Sequence, residues 1–224
     1  MNARSTALAL QAASVLLQYP DDPCRARWPL VREAVDGLPH SVTRDRLHAF
    51  LDDADGLGRR ELAEHYVGVF DRRRRCCLYL TWWTDGETRR RGSSLASLKE
   101  RYRRSGLVLD ARELPDYLPV VLEYAATANL ADGLALLQEH RSGVELLRLA
   151  LTDAKTPYAG LLEAVCALLP GPSPRDRAEA ARLARTGPPV EEVGLEPFGG
   201  AAAHRSPAGS GALTDAPGVP GGRR

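Results

Sequence analysis

The sequence predicts an all-α fold: a single-domain bundle of about eight helices with a disordered C-terminal tail. Apolar residues recur at helical spacing through most of the first 170 residues, and alanine and leucine, two strong helix formers, are frequent. No pair of alternating segments suggests a β-sheet. A chain of 224 residues can also bury enough apolar surface to fold without disulfides or metals.

Four amphipathic helices are predicted in the first 70 residues, and a capping residue, a proline or a glycine bounds each of the first three. Leu8, Val15 and Tyr19 share the apolar face of the first helix. The predicted bounds are Ser5 or Thr6 to Pro20, Asp22-Pro23 to Gly37, Ser41 or Thr43 to Gly56, and about Arg59 to Phe70.

The segment 76–83 is ambiguous, because its aromatic residues and threonine are also typical of a strand. A strand needs a partner, and none is recognisable, so a buried helix is predicted here. The later helices are predicted at 91–105, from Pro115 onward, at 131–152, at 157–169 and, as a short helix, at 173–184.

The composition changes after Pro170, and beyond Thr186 the chain is rich in Gly, Pro, Ala and Ser. Such a segment has too few large apolar side chains to offset the entropy of ordering. We therefore expect a helical domain over residues 1–185 and a mostly disordered tail over residues 186–224.

Composition and motifs exclude several functional classes. The four cysteines form no CxxC pair and no two histidines lie four residues apart, so no metal site is expected. No phosphate-binding loop, dinucleotide fingerprint or hydrolase motif occurs, and we expect no enzymatic activity. No apolar stretch approaches the length of a membrane span and no secretory signal is recognisable, which predicts a cytoplasmic protein.

One region leaves an alternative open. Residues 71–104 contain eleven basic and four acidic residues around Tyr79, Trp82 and Trp83, although the net charge of the chain is only +1. Arginines beside aromatic rings can bind single-stranded nucleic acid through phosphate contacts and base stacking. The simpler interpretation is a solvated arginine face over buried rings.

Several separated motifs resemble one family in order and spacing, the nitrate reductase molybdenum cofactor assembly chaperones, also called the delta subunit. This family is related to the redox-enzyme maturation chaperones, and the resemblance covers about residues 5–170. The motifs are Tyr66–Asp71, Cys76–Thr81, Asp85–Arg89 with Arg91–Gly92, Arg112–Pro119 and Leu122–Tyr124.

The resemblance implies an all-helical chaperone without a cofactor of its own. Its expected partner is the apo catalytic (alpha) subunit of respiratory nitrate reductase, whose N-terminal segment it would bind while the molybdenum cofactor is inserted. An amphipathic peptide helix with paired arginines would require an apolar groove fringed with carboxylates. The acidic candidates are Asp71, Glu113, Asp116 and Glu123, and the apolar ones are Tyr66, Phe70, Leu114, Tyr117, Leu118 and Tyr124.

Overall fold

A computed structural model describes residues 1–110 and 113–186, with only the backbone for residues 183–186. The described part is helical, which confirms the all-α prediction. The helices are α1 (Ala3–Leu16), α2 (Asp22–Arg25), α3 (Trp28–Asp36), α4 (Val42–Asp55), α5 (Arg59–Tyr66), α6 (Leu80–Asp85), α7 (Arg89–Arg104), α8 (Leu118–Thr127), α9 (Leu130–Glu139), α10 (Arg141–Asp153), α11 (Tyr158–Cys166) and α12 (Arg177–Thr186). A π-helical turn (Val67–Asp71) and a 3₁₀ turn (Arg74–Cys76) follow α5.

Helix α1 lies at the centre of the bundle and packs against α8, α3, α11 and α4. Leu10 and Leu16 of this helix, and Leu17 directly after it, are fully buried in the core. The Ser14 hydroxyl, also buried, donates a hydrogen bond of 2.8 Å to the carbonyl of Pro119, which joins α1 to the first turn of α8. The helix is capped by Asn2 rather than by the predicted Ser5 or Thr6, because the Asn2 side chain accepts from the Ser5 amide.

Several predicted helices are divided or displaced. The second is two helices, since Pro29 lies in the first turn of α3 and starts it anew. The long helix predicted at 131–152 is broken at His140, because α9 packs on α8 whereas α10 packs on α11 and α12. The helix predicted from Pro115 begins at Leu118, and Pro119 rather than Pro115 occupies its first turn.

The prediction of a buried helix at 76–83 was only partly right. Cys77 and Tyr79 have extended backbone, and α6 begins at Leu80. Within the described residues, the one isolated β-bridge pairs Tyr79 with Tyr117 in antiparallel orientation. The partner has no strand pattern in the sequence because it lies between two prolines, Pro115 and Pro119.

The side chain of Asp116, directly before Tyr117, stabilises this bridge. This side chain is fully buried, and one carboxylate oxygen accepts hydrogen bonds from the Thr81 amide and hydroxyl and from Arg91, whose Nη2 lies 3.4 Å away. Backbone bonds from Leu80 to the Asp116 carbonyl (2.9 Å) and from Leu118 to the Leu78 carbonyl (2.8 Å) complete the connection. One carboxylate thus joins α6, α7 and the segment before α8.

Helices α8 and α9 approach closely at Gly133. A Cβ atom at this position would lie 2.2 Å from the Cβ of Ala125 and 2.4 Å from its Cα, so a larger residue requires the helices to separate. Gly92 in α7 offers the opposite case, since a Cβ there would meet no atom within 4 Å.

The predicted domain boundary between residues 185 and 186 stays a prediction. Apart from Thr186, the predicted tail lies outside the described residues. No helix in the described part of the chain is both long enough and apolar enough to cross a membrane.

We expect Asp116→Ala to lower the free energy of unfolding by about 3 kcal/mol, because it leaves a half-buried arginine and a buried threonine without their partner. Urea denaturation followed by circular dichroism measures the change. Glu113→Ala, three residues away and exposed, should change stability by less than about 0.5 kcal/mol. Equal effects of the two substitutions would contradict a structural role for Asp116.

We expect Gly133→Ala to destabilise the fold by about 1–3 kcal/mol, through overpacking between α8 and α9. Gly92→Ala is the matched control and should instead stabilise by about 0.5–1 kcal/mol, because alanine favours the helix and meets no obstacle. Thermal unfolding of both variants gives the comparison. A stabilising Gly133→Ala would show that the close helix approach is absent in solution.

Candidate functional site

A surface groove lies where the end of α1, helix α2 and the start of α8 meet. Its volume is about 480 Å³. The lining residues are Gln18, Tyr19, Asp21, Pro23, Cys24, Arg27, Glu113, Tyr117, Pro119, Val120 and Glu123. Aromatic rings, prolines and a valine form much of this surface, and carboxylates stand among them.

The chain forms the groove by turning sharply after α1. The helix ends at Leu16, Pro20 follows, and Asp21 then caps α2 by accepting a hydrogen bond of 2.8 Å from the Cys24 amide. The Cys24 thiol in turn donates to the Val15 carbonyl over 3.4 Å. These contacts fold α2 back against α1 and leave one wall of the groove facing α8.

The groove carries a net negative charge. Asp21, Glu113 and Glu123 are exposed, and within the described residues the carboxylates of Glu113 and Glu123 accept no hydrogen bond and form no ion pair. The single base in the lining, Arg27, donates to the neutral Gln18 amide oxygen over 2.6 Å. Two glutamates therefore remain free to pair with a bound cation.

A set of tyrosines fixes the inner part of the groove. Tyr117 is half-buried, and its hydroxyl shares a hydrogen bond of 3.1 Å with the Tyr66 hydroxyl, which also donates to the Leu17 carbonyl over 3.1 Å. Burial raises the pKa of Tyr117 to about 12, and burial likewise raises the pKa of Tyr66. Both phenols are therefore neutral near pH 7, so the negative charge belongs to the carboxylates alone.

The structure brings three of the ten predicted site residues into this groove: Glu113, Tyr117 and Glu123. Leu114, which follows Glu113, is 40% exposed. Asp71 is exposed at the end of the π-helical turn. Their role in binding a partner stays a prediction.

The other five predicted residues support the fold in this structure. Tyr66, Asp116, Leu118 and Tyr124 are buried, and Phe70 is half-buried against the rings of Tyr66 and Tyr158. The predicted placement of Asp116 on a groove rim does not agree with this burial, because its side chain is directed inward and one carboxylate oxygen already binds Thr81 and Arg91. Tyr124 similarly bonds to Ser105 and Asp132.

Sequence reasoning missed the wall contributed by the end of α1 and by α2. Tyr19 was assigned to an inward helix face, but the helix ends at Leu16 and the ring is 46% exposed. Asp21 and Val120 were not recognised either. The position of Tyr19 directly before Pro20 was the available signal, because a proline that ends a helix also ends its periodicity.

A second cleft of about 470 Å³ adjoins the first, and Tyr19 lines both. Its remaining lining residues come from α5, the π-helical turn and the residue directly after that turn: Arg60, Ala63, Glu64, Val67 and Arg72. Arg60 and Glu64 form an ion pair of 2.7 Å across one helical turn. Arg72 forms no ion pair within the described residues.

Much of the arginine excess in residues 71–104 has partners inside the protein. Arg91 pairs with Asp116, Arg101 with Asp132 and Glu139, and Arg74 with Glu87. Trp82 and Trp83 are half-buried rather than displayed. These contacts give the paired arginines a structural role, and the alternative of nucleic-acid binding gains no support from them. Among the described residues, no group of three His, Cys, Asp or Glu side chains could hold a metal ion.

Comparison with known proteins identifies relatives over most of the chain. The family model described as nitrate reductase delta subunit matches residues 36–164. The probable nitrate reductase molybdenum cofactor assembly chaperone NarJ of Bacillus subtilis is 33% identical over 181 residues, which cover 81% of this chain and 98% of that protein. The corresponding chaperone NarJ of Escherichia coli K12 is 32% identical over 161 residues, 70% of this chain and 67% of that protein.

A solved structure supports the fold independently. The crystal structure of a putative redox enzyme maturation protein from Archaeoglobus fulgidus matches with a TM-score of 0.53 at 18% identity, covering 70% of this chain and 90% of that one. At this identity the likeness concerns the fold alone. The matched family model and the two extensive relatives carry the assignment: this chain belongs to the nitrate reductase delta subunit family.

Proposed function

We propose that this protein is an assembly chaperone of nitrate reductase, which binds the N-terminal segment of the apo catalytic subunit and supports insertion of the molybdenum cofactor. The relatives that cover most of the chain are named as chaperones of this process, so the protein is a chaperone rather than a catalyst. The finer assignment, of the partner and its segment, rests on the groove.

The observation that carries this assignment is a groove that combines apolar surface with exposed carboxylates. Glu113 and Glu123 lie beside Tyr117, Pro119 and Val120, and neither forms an ion pair within the described residues. A peptide helix that places apolar residues on this surface and arginines beside the two glutamates would satisfy both requirements. A client N-terminus with paired arginines has this chemistry.

The rigidity of the groove favours affinity. Tyr117 is held by Tyr66 and by the bridge to Tyr79, whose ring centroid lies 5.5 Å from its own. Pro119 is held by Ser14. Side chains that are already fixed lose little conformational entropy when a peptide binds, so more of the contact energy appears as affinity.

The surface also separates the peptide-binding residues from the residues that stabilise the fold. Glu113, Leu114, Glu123 and the exposed part of Tyr117 are accessible to a partner. A substitution at either glutamate removes charge without opening the core. The groove can therefore be tested by mutation without unfolding the protein.

The direct test is calorimetric titration of the full chain with a peptide of about 20 residues from the N-terminus of the nitrate reductase catalytic subunit, long enough to span about 30 Å as a helix. We expect saturable binding with one peptide per chain. Absence of binding over a range of temperatures, with the protein folded, would overturn the proposal.

We expect the double substitution Glu113→Gln and Glu123→Gln to weaken this binding about five- to thirtyfold, as two charge-assisted contacts become neutral, with little change in melting temperature. The affinity of the double variant should also depend less on salt. Glu33→Gln, an exposed position on α3, is the control and should leave affinity unchanged. If the wild type, the double variant and the Glu33→Gln control bound the peptide with equal affinity, the peptide would bind outside this groove.

A further inference from the structure

We propose that the groove and the adjoining cleft form one two-part binding surface centred on Tyr19, which selects a helical segment basic at one end and acidic at the other. The inference rests on the proposed function and extends it, because it states a charge pattern that the bound segment must carry. The acidic groove would receive the basic end, and the cleft beside α5 would receive the acidic end.

Tyr19 is the structural reason to join the two clefts. Its ring contributes to the lining of both, and 46% of the residue is exposed. The ring packs edge-on against Tyr66 with centroids 5.4 Å apart, and Tyr66 is itself held by two hydrogen bonds. An exposed aromatic ring held in place from behind is a typical anchor of protein interfaces.

The two parts differ in charge. Around the groove, Asp21, Glu113 and Glu123 outnumber Arg27. Around the cleft, Arg60 and Arg72 outnumber Glu64, and the ion pair between Arg60 and Glu64 leaves Arg72 as the free charge within the described residues. A segment that crosses Tyr19 therefore passes from a negative surface to a positive one.

The π-helical turn after α5 shapes the positive part. It spans Val67–Asp71, and the Arg72 amide closes it with a bond of 3.2 Å to the Val67 carbonyl. The wider turn brings Val67 and Arg72 to the same cleft, one as apolar surface and the other as charge. Single π-turns of this kind occur frequently at functional sites.

A dipolar occupant fits this surface better than a uniformly basic one. A helix of about 14 residues is about 20 Å long, enough to lie on both sides of a central tyrosine. If the surface were acidic throughout, each added arginine would strengthen binding. With Arg72 at one end, an arginine there is repelled and a glutamate is attracted.

A two-part surface and a surface that is acidic throughout predict opposite orders of affinity for two synthetic peptides. Both carry the same apolar face and two arginines in the first turn. The dipolar peptide has two glutamates in its last turn, and the basic peptide has two arginines there. We expect the full chain to bind the dipolar peptide about threefold or more tightly, as measured by fluorescence anisotropy at low salt.

Charge reversal in the protein should reverse this preference. The double variant Arg60→Glu and Arg72→Glu is expected to bind the basic peptide more tightly than the dipolar one. The control variant Arg89→Glu and Arg90→Glu changes the net charge by the same amount on exposed positions of α7, outside both clefts. This control should still bind the dipolar peptide more tightly than the basic one, which would exclude net charge as the cause of the reversal.

Tyr19→Ala should weaken binding of both peptides about tenfold, the loss typical of an interface anchor. Leu30→Ala, at a residue 68% exposed on α3, controls for the loss of any surface apolar group and should have no effect. A wild-type preference for the basic peptide, or an unchanged order in the Arg60 and Arg72 variant, would overturn the two-part surface while leaving the chaperone groove intact. Failure of both peptides and of the client peptide to bind would instead refute the proposed function itself.

Discussion

The buried carboxylate of Asp116 is the constraint on which the functional face depends. It accepts hydrogen bonds from Thr81 and Arg91, and the backbone around it pairs with the segment from Leu78 to Leu80. A charge removed from water in this way is tolerated only when its partners are in place, so α6, α7 and the segment before α8 must assemble together. Tyr117 follows Asp116 directly, so the same contacts position it in the groove.

A second set of contacts connects the buried core to the aromatic residues at the surface. Tyr66, buried in α5, bonds to Tyr117 on one side and to the end of α1 on the other, and its ring supports Tyr19. The aromatic groups that line the two clefts are thus mutually positioned. Glu113, Glu123 and Arg72, which form no ion pair in the part of the chain that the structure describes, surround these fixed aromatic groups. This division lets the charge pattern change in evolution or by mutation without loss of the fold.

The family resemblance and the surface chemistry support the same proposal from different directions. Relatives that cover most of the chain are named as assembly chaperones, while the groove offers apolar surface and exposed carboxylates to a basic helix. Within the described residues, half of the ten arginines in residues 71–104 pair with carboxylates of the protein, such as Arg101 with Asp132 and Glu139. The region that first suggested nucleic-acid binding therefore contributes to packing between α7 and α9.

The limits of sequence reasoning follow from the range of the contacts involved. Helix periodicity is local, and so the all-α fold and most helix positions were predictable. The bridge between Tyr79 and Tyr117 joins residues far apart in the chain, and Tyr117 lies between two prolines. No local sequence pattern therefore predicted this bridge. For the same reason Asp116 was predicted on a groove rim and is buried: a carboxylate looks alike in sequence whether water or an arginine satisfies it.

The sequence by itself determined the helical class, the break of α1 before Pro20, the family and the presence of carboxylates between residues 113 and 123, because each depends on neighbouring residues or on a pattern of motifs. Only the tertiary structure decided which carboxylates stay free. It buried Asp116 against Arg91, left Glu113 and Glu123 exposed, and placed Tyr19 between two clefts of opposite charge. Burial and charge pairing are properties of the packed helices, and they exist only once the chain has brought distant segments together.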